Sequence, residues 1–262
     1  MRTLPVFGAF GHAFKSTFRN LGFAFYASWP WMLAILPFNI AGNAYVVLNR
    51  LDFQQQSAPS IVVVHSLIGL LTMIAFASIA VNWHRHVLLG ETAVGWQRLR
   101  LDGLVGRYVG NVFLLFLIFI GCEIGVGIIL GLIILVFHAA ASVVLVLAAV
   151  AGFLALISYS YRLGCKFPGI AIGQKDLTFH DVRVRTEGNF WRFVGLGVLN
   201  YLFIIGLSLV MLLATVLVAK STSEVWLSVT VAIQFFVYWI ITIFNVTMLT
   251  SLYGFFFEDR EF

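Results

Sequence analysis

Apolar residues run along this chain in blocks too long for the helices or strands of a soluble domain. No charged residue lies between Arg19 and Arg50, or between Asp52 and Arg85. From Tyr108 to Tyr161 only Glu123 interrupts, and two more charge-free blocks run from Phe193 to Ala219 and from Val225 to Phe257. About 20 mostly apolar residues cross the roughly 30 Å of bilayer hydrocarbon as a helix. The pattern therefore predicts spans near 22–44, 61–83, 108–135, 140–161, 193–219 and 226–256. The 108–161 block is long enough for two of them and needs a tight turn near 137–141. Runs such as VFLLFLIFIG lack the alternation of a membrane barrel. The expected fold class is all-α: a polytopic membrane protein of six transmembrane helices in three hairpins, with interfacial amphipathic segments, and 1–262 forming one integral membrane domain.

Composition sharpens the class. Only 10% of residues are charged, against about 25% in soluble domains, and mean hydropathy is +1.00. These values exclude a water-soluble globular enzyme, a disordered chain and a secreted disulfide scaffold. Charge then orients the spans. Every Lys and Arg except Arg50 and Lys220 falls in the N-terminal segment, the 84–107 and 162–192 loops, the adjoining span ends or the C-terminal tail. Positive loops resist translocation, so that side is cytoplasmic and both termini lie inside. Trp29, Trp31, Trp83, Tyr108, Tyr161, Trp191, Trp226 and Tyr253 fall where an aromatic belt belongs.

The first 20 residues lack the apolar core and cleavage site of a signal peptide. Phe7, Phe10, Phe14 and Phe18 recur at helical spacing among Lys15 and Arg19. That predicts an amphipathic helix in the inner headgroup layer, the alternative being an unstructured arm. The two long inner loops mix apolar and basic residues and are expected to lie along the membrane face. Their rim arginines, Arg98, Arg100, Arg107, Arg183, Arg185 and Arg192, would attract anionic lipid head groups; fixing topology alone is the alternative role. Membrane lipids are thus the expected partners, with a larger membrane complex as a further one; no nucleic acid and no cofactor is expected. FKSTFRNLGFAFY, RLRLDGLVGRYVGN and VRVRTEGNFWRFVG each lead into a span, with Arg19, Arg107 and Arg192 as markers. Two readings stand: tandem triplication, with units 1–83, 84–161 and 162–262, or the plain periodicity of any six-span chain. True parallel repeats would differ from the inverted repeats of many transporters.

Glu123 is the most informative polar residue, near the middle of the third span. A carboxylate at mid-bilayer costs about 2.5–3.5 kcal/mol on insertion scales, so it should face protein or water. Asn245, Tyr238, Gln234, Asn200 and Ser158 are the expected partners. The residue is either a protonatable site or a hydrogen-bonded staple between helices. Around it Gly121, Gly125, Gly127 and Gly131 form small-xxx-small pairs, expected to permit close helix packing; a helix broken at GCEIGVG is the alternative. The six histidines include WHRH at the inner interface, but no pair sits at mid-depth for haem and none has zinc spacing. Cys122 and Cys165 lie at different depths and are expected to be unpaired thiols. G-x-S-x-G, H-E-x-x-H and the Walker phosphate loop are absent.

The inner segments RLRLDGLVGRYVGN and VRVRTEGNFWRFVG, with their Phe- and Gly-rich hairpins, resemble the membrane domain that precedes some bacterial glycerophosphodiester phosphodiesterases and the six-span inner-membrane proteins similar to it. That family's catalytic part is a separate soluble barrel with no counterpart here, so the resemblance implies a bacterial inner-membrane location and an auxiliary role. The expected function is a non-catalytic accessory, assembly or scaffold component contacting lipids or a larger membrane complex. The alternative is a transporter or lipid-handling protein using Glu123 as a protonatable intramembrane site.

Overall fold

The computed structural model describes residues 2–48, 58–136, 141–218 and 224–262. Every regular element among them is helical: α1 (Val6–Arg19), α2 (Leu21–Leu48), α3 (Pro59–Leu89), a 3-10 turn (Gly95–Leu99), α4 (Gly103–Val136), α5 (Ala141–Gly164), α6 (Lys166–Ala171), α7 (Phe179–Arg185), α8 (Phe190–Val218) and α9 (Glu224–Phe257). Six helices are long and apolar enough to cross a bilayer, so the chain is a polytopic membrane protein. A short helical element precedes each pair of long ones: α1, the 3-10 turn, then α6 with α7. The turn expected near 137–141 lies outside the described residues except for Ala141, which opens α5.

The helices overrun the predicted spans at the ends that carry the basic residues, termed inner on that charge pattern alone. α3 continues through His84, Arg85 and His86 to Leu89, and α4 begins at Gly103, ahead of Arg107. A charge ends an apolar run but not a helix, because head groups and water solvate the side chain while the backbone bonds continue. Gly90, at φ 70°, then closes α3 in the left-handed conformation that glycine adopts without a Cβ penalty.

Packing concentrates at these inner ends. α9 is the shared wall of two cores. One joins Trp31 and Ile35 of α2, Ile79 and Trp83 of α3 and Val105 and Tyr108 of α4 to Trp239 and Ile243 of α9. The other joins Leu4, Ala9, Ala13, Ile157 of α5 and Phe193 and Leu196 of α8 to Phe244, Met248 and Leu252. Beyond them the long helices present Leu, Ile, Val and Phe outward, as a bilayer solvent permits.

Of the two segments expected at the interface, one is covered by protein and the other keeps its amphipathic helix while also docking on protein. In the 162–192 loop, α6 does not lie along the membrane: Phe167, Ile170 and Ala171 are buried against α3, α4 and α9, plugging the inner end of the bundle. Gly169 permits this, since a Cβ there would meet Leu177 at 2.6 Å and Tyr253 at 3.2 Å. α1 is helical as expected, but it docks on α8 and α9 through Ala9, Ala13 and Thr17. Phe10 and Phe14 meet Phe203 and Phe244 edge-on, leaving Phe7 80% exposed to the interface. An apolar stripe has the same composition whether lipid or protein covers it.

His12 fastens α1. Ser251 Oγ donates to the Thr247 carbonyl, so its hydroxyl accepts from His12 Nδ1 at 2.9 Å. Burial, with Arg260 and Lys15 nearby, holds the imidazole pKa below its ordinary value. The unfolded state then binds more protons below about pH 6.5, so the contact is fully stabilising above that value and weakens as pH falls through it. Hydrogen exchange of residues 6–19, corrected for its intrinsic pH dependence, should rise between about pH 8 and pH 5. The same correction should flatten the curve for His12→Gln; an equally steep curve would refute the assignment.

Candidate functional site

Glu123 lies in α4, whose middle, residues 116–132, holds no buried residue. Glu123 is exposed, beside Ile120, Ile124 and Val126, which are exposed too. A Cβ built on Gly121, Gly125, Gly127 or Gly131 would find no atom within 4 Å. The close packing expected of these glycines is therefore not made within the chain among the described residues. On helical spacing Glu123, Gly127 and Gly131 share one face with Phe116 and Ile120.

The expected partners of Glu123 are engaged elsewhere or face away. Asn200 of α8 donates to the Tyr161 hydroxyl of α5 at 2.6 Å and to Asn245 Oδ1 of α9 at 2.8 Å. Asn245 in turn donates to the Ile241 carbonyl. Ser158 donates to the Phe190 carbonyl, Gln234 reaches Thr215 at 3.5 Å, and Tyr238 is 66% exposed. The structure thus gathers Asn200 and Asn245 into a staple between helices and leaves Glu123 out of it. Hydropathy gives each residue a depth but no azimuth around its helix axis, and the staple depends on azimuth.

His84, which the sequence places at the interface, is fully buried. Thr250 gives its hydroxyl proton to the Val246 carbonyl, so it accepts from His84 Nδ1 at 2.8 Å. This bonding assigns the imidazole proton to Nδ1 and leaves Nε2 to accept from the Tyr108 hydroxyl at 3.4 Å. α3, α4 and α9 are joined by that node. Cys122 is exposed and Cys165 buried, both as free thiols.

The inner rim is more structured than its charge pattern suggests. Arg162 is buried and donates to Thr186 Oγ1 and to the Arg183 carbonyl. Asn189 accepts from the Leu4 amide and donates to the Arg2 carbonyl, while Arg192 donates to the Leu4 carbonyl at 2.8 Å. Arg2 continues the clasp to the Phe255 carbonyl and Asp259, and Arg260 to the Leu88 carbonyl. Arg85 is paired with Glu91, whose carboxyl pKa its guanidinium holds below the usual carboxylate range. Of the rim residues singled out from sequence, Arg100 pairs with Asp102, Arg107 donates to the Gly103 carbonyl and Arg185 stacks over Phe257. Arg183 is exposed. Arg98 is set against Tyr26 and Trp29. Lysines and arginines gathered in alternate loops announce a basic rim, but no local signal marks Arg2, Asn189 and Arg260 as a clasp, because the segments they join lie about 170 or more residues apart.

Two hollows flank these features. One, of about 430 Å³, is lined by Lys175, Arg185, Asp176 and Asp181 and balances its charges. Another, of about 400 Å³, is an apolar groove between α2 and α3 near Phe38, Tyr45 and His65. Comparison with protein-family models, curated proteins and solved structures finds no match to this chain.

Proposed function

We propose that this chain is a non-catalytic component of a bacterial inner membrane, with both termini cytoplasmic, that associates sideways with a larger membrane complex as an accessory, assembly or scaffold subunit. The exposed middle of α4 carries the proposal: it holds a carboxyl at mid-bilayer depth with no hydrogen bond or ion pair among the described residues. A polar group in hydrocarbon gains from a partner helix, and glycines on the same face let one approach closely. The inner end, knit by His84, Asn200 and the terminal clasp, supplies a rigid base for that helix. The inner-face resemblance to the membrane domain of phosphodiesterases agrees with an auxiliary role. Purification in mild detergent followed by mass spectrometry should recover a stoichiometric second protein. Recovery of this chain alone, monomeric with lipid, would defeat the subunit role.

The second reading is a transporter or lipid-handling protein in which the same carboxyl is a protonatable switch. Its position at mid-depth favours that reading, since intramembrane carboxyls serve proton relays. Proton-coupled uptake into vesicles containing the chain would distinguish the two.

A further inference from the structure

Among the rim arginines, Arg98 differs in how it is held. Its guanidinium carbon lies 4.7 Å from the Tyr26 ring centre and 5.2 Å from that of Trp29, both on α2. Its Nε donates to the Gly95 carbonyl at 3.0 Å. The turn that carries it is itself fixed, because the buried Asn82 of α3 donates to the carbonyls of Gln97 and Arg98, each at 3.2 Å. Two rings and a bonded Nε set the plane of the fork, and among the described residues no carboxylate pairs with it. The neighbouring Arg100 is already neutralised by Asp102. Both terminal nitrogens of Arg98 therefore keep their donor capacity at a preset orientation.

Depth decides what meets them. α2 starts at Leu21, so Tyr26 and Trp29 lie about 8 and 12 Å along the helix from its inner end at 1.5 Å per residue. With Leu21 at the head groups, that spacing puts both rings at the headgroup–acyl boundary, where Trp and Tyr are enriched. In the same segment Trp96 is 86% exposed and Leu101 69% exposed, side chains suited to acyl chains and glycerol rather than to open water. A cation held at that depth, with apolar neighbours outside it, fits a phosphodiester joined to acyl chains. Arginine meets phosphate through two parallel bonds, and stacking on aromatic rings leaves its edge free to do so.

We infer that Arg98, seated against Tyr26 and Trp29 at the inner end of α2, is a binding site for the phosphodiester of an anionic membrane phospholipid. The site shares the bilayer placement of the proposed function but not the α4 face, so an Arg98 variant that lost lipid yet kept its co-purifying protein would separate the two failures. Native mass spectrometry of the full chain, delipidated and titrated with phosphatidylglycerol, phosphatidylcholine or soluble glycerol 3-phosphate, reads the site directly. The intact chain should retain phosphatidylglycerol over phosphatidylcholine, and glycerol 3-phosphate should not compete, which distinguishes a lipid from a free phosphate ester. Arg98→Gln should weaken phosphatidylglycerol by roughly tenfold, the loss expected for hydrogen bonds to a charged group. Lys175→Gln, at an exposed site between α6 and α7, should not. Arg98→Lys keeps the charge but not the fork, and should fall between; it decides the matter should the glutamine variant fail to fold. Equal retention by the intact chain and the folded Arg98 variants, equal retention of both lipids, or displacement by glycerol 3-phosphate would overturn the inference.

Discussion

Gly197→Leu should open the inner end of the α5–α8 pair and lower the thermal unfolding midpoint of the detergent-solubilised chain. A Cβ on Gly197 would fall inside the contact distance of Ile157 Cγ2 and 3.3 Å from the Tyr161 ring. Ile157 is buried and β-branched, so its side chain has no free rotamer into which to withdraw. Tyr161 is tied by the Asn200 bond, so its displacement also strains the Asn200–Asn245 staple. Overpacking of this kind costs about 1–3 kcal/mol, and the larger side chain puts the expected loss toward the upper end. Gly206, on the same helix with open space around it, is the control: Gly206→Leu should melt with the parent chain. Ile157→Ala combined with Gly197→Leu should recover part of the loss, as expected of residues in contact. Equal midpoints for Gly197→Leu and Gly206→Leu would show that the two helices do not cross at this glycine.

Glu123→Leu is expected to do the reverse, leaving the fold intact and removing the association. Insertion of a carboxylate at mid-bilayer costs about 2.5–3.5 kcal/mol, and no described residue offsets it with a bond. The variant chain should therefore unfold at the same temperature or higher, while the protein that co-purifies with the parent is lost. Glu123→Gln keeps a hydrogen-bonding group without a titrating one. It should retain the co-purifying protein under the subunit reading, and lose proton-coupled uptake under the transport reading. A staple inside the chain would instead make Glu123→Leu unfold early, a result opposed to the exposed position of Glu123.

The residues that were legible from order alone are those whose behaviour depends on solvent. Long uncharged blocks between Arg19 and Arg50 or Phe193 and Ala219 require helices, because hydrocarbon offers backbone amides no other partner. The phenylalanine spacing in residues 7–18 pointed to a helix over an unstructured arm, and α1 is that helix. The loops were harder. Phe167 and Ile170 are apolar residues among lysines, a pattern that fits a segment lying on the membrane as well as one plugging the bundle, and the structure chose the plug.

Span number, depth and the basic rim were determined by the sequence by itself, since each is a sum over neighbouring residues set by the surrounding solvent. Tertiary structure alone decided that Asn200 meets Tyr161 and Asn245, that His84 meets Thr250, and that Glu123 meets none of them. Apolar surface gains little from choosing protein over lipid, so the face each helix buries is selected by shape and hydrogen bonding between distant segments.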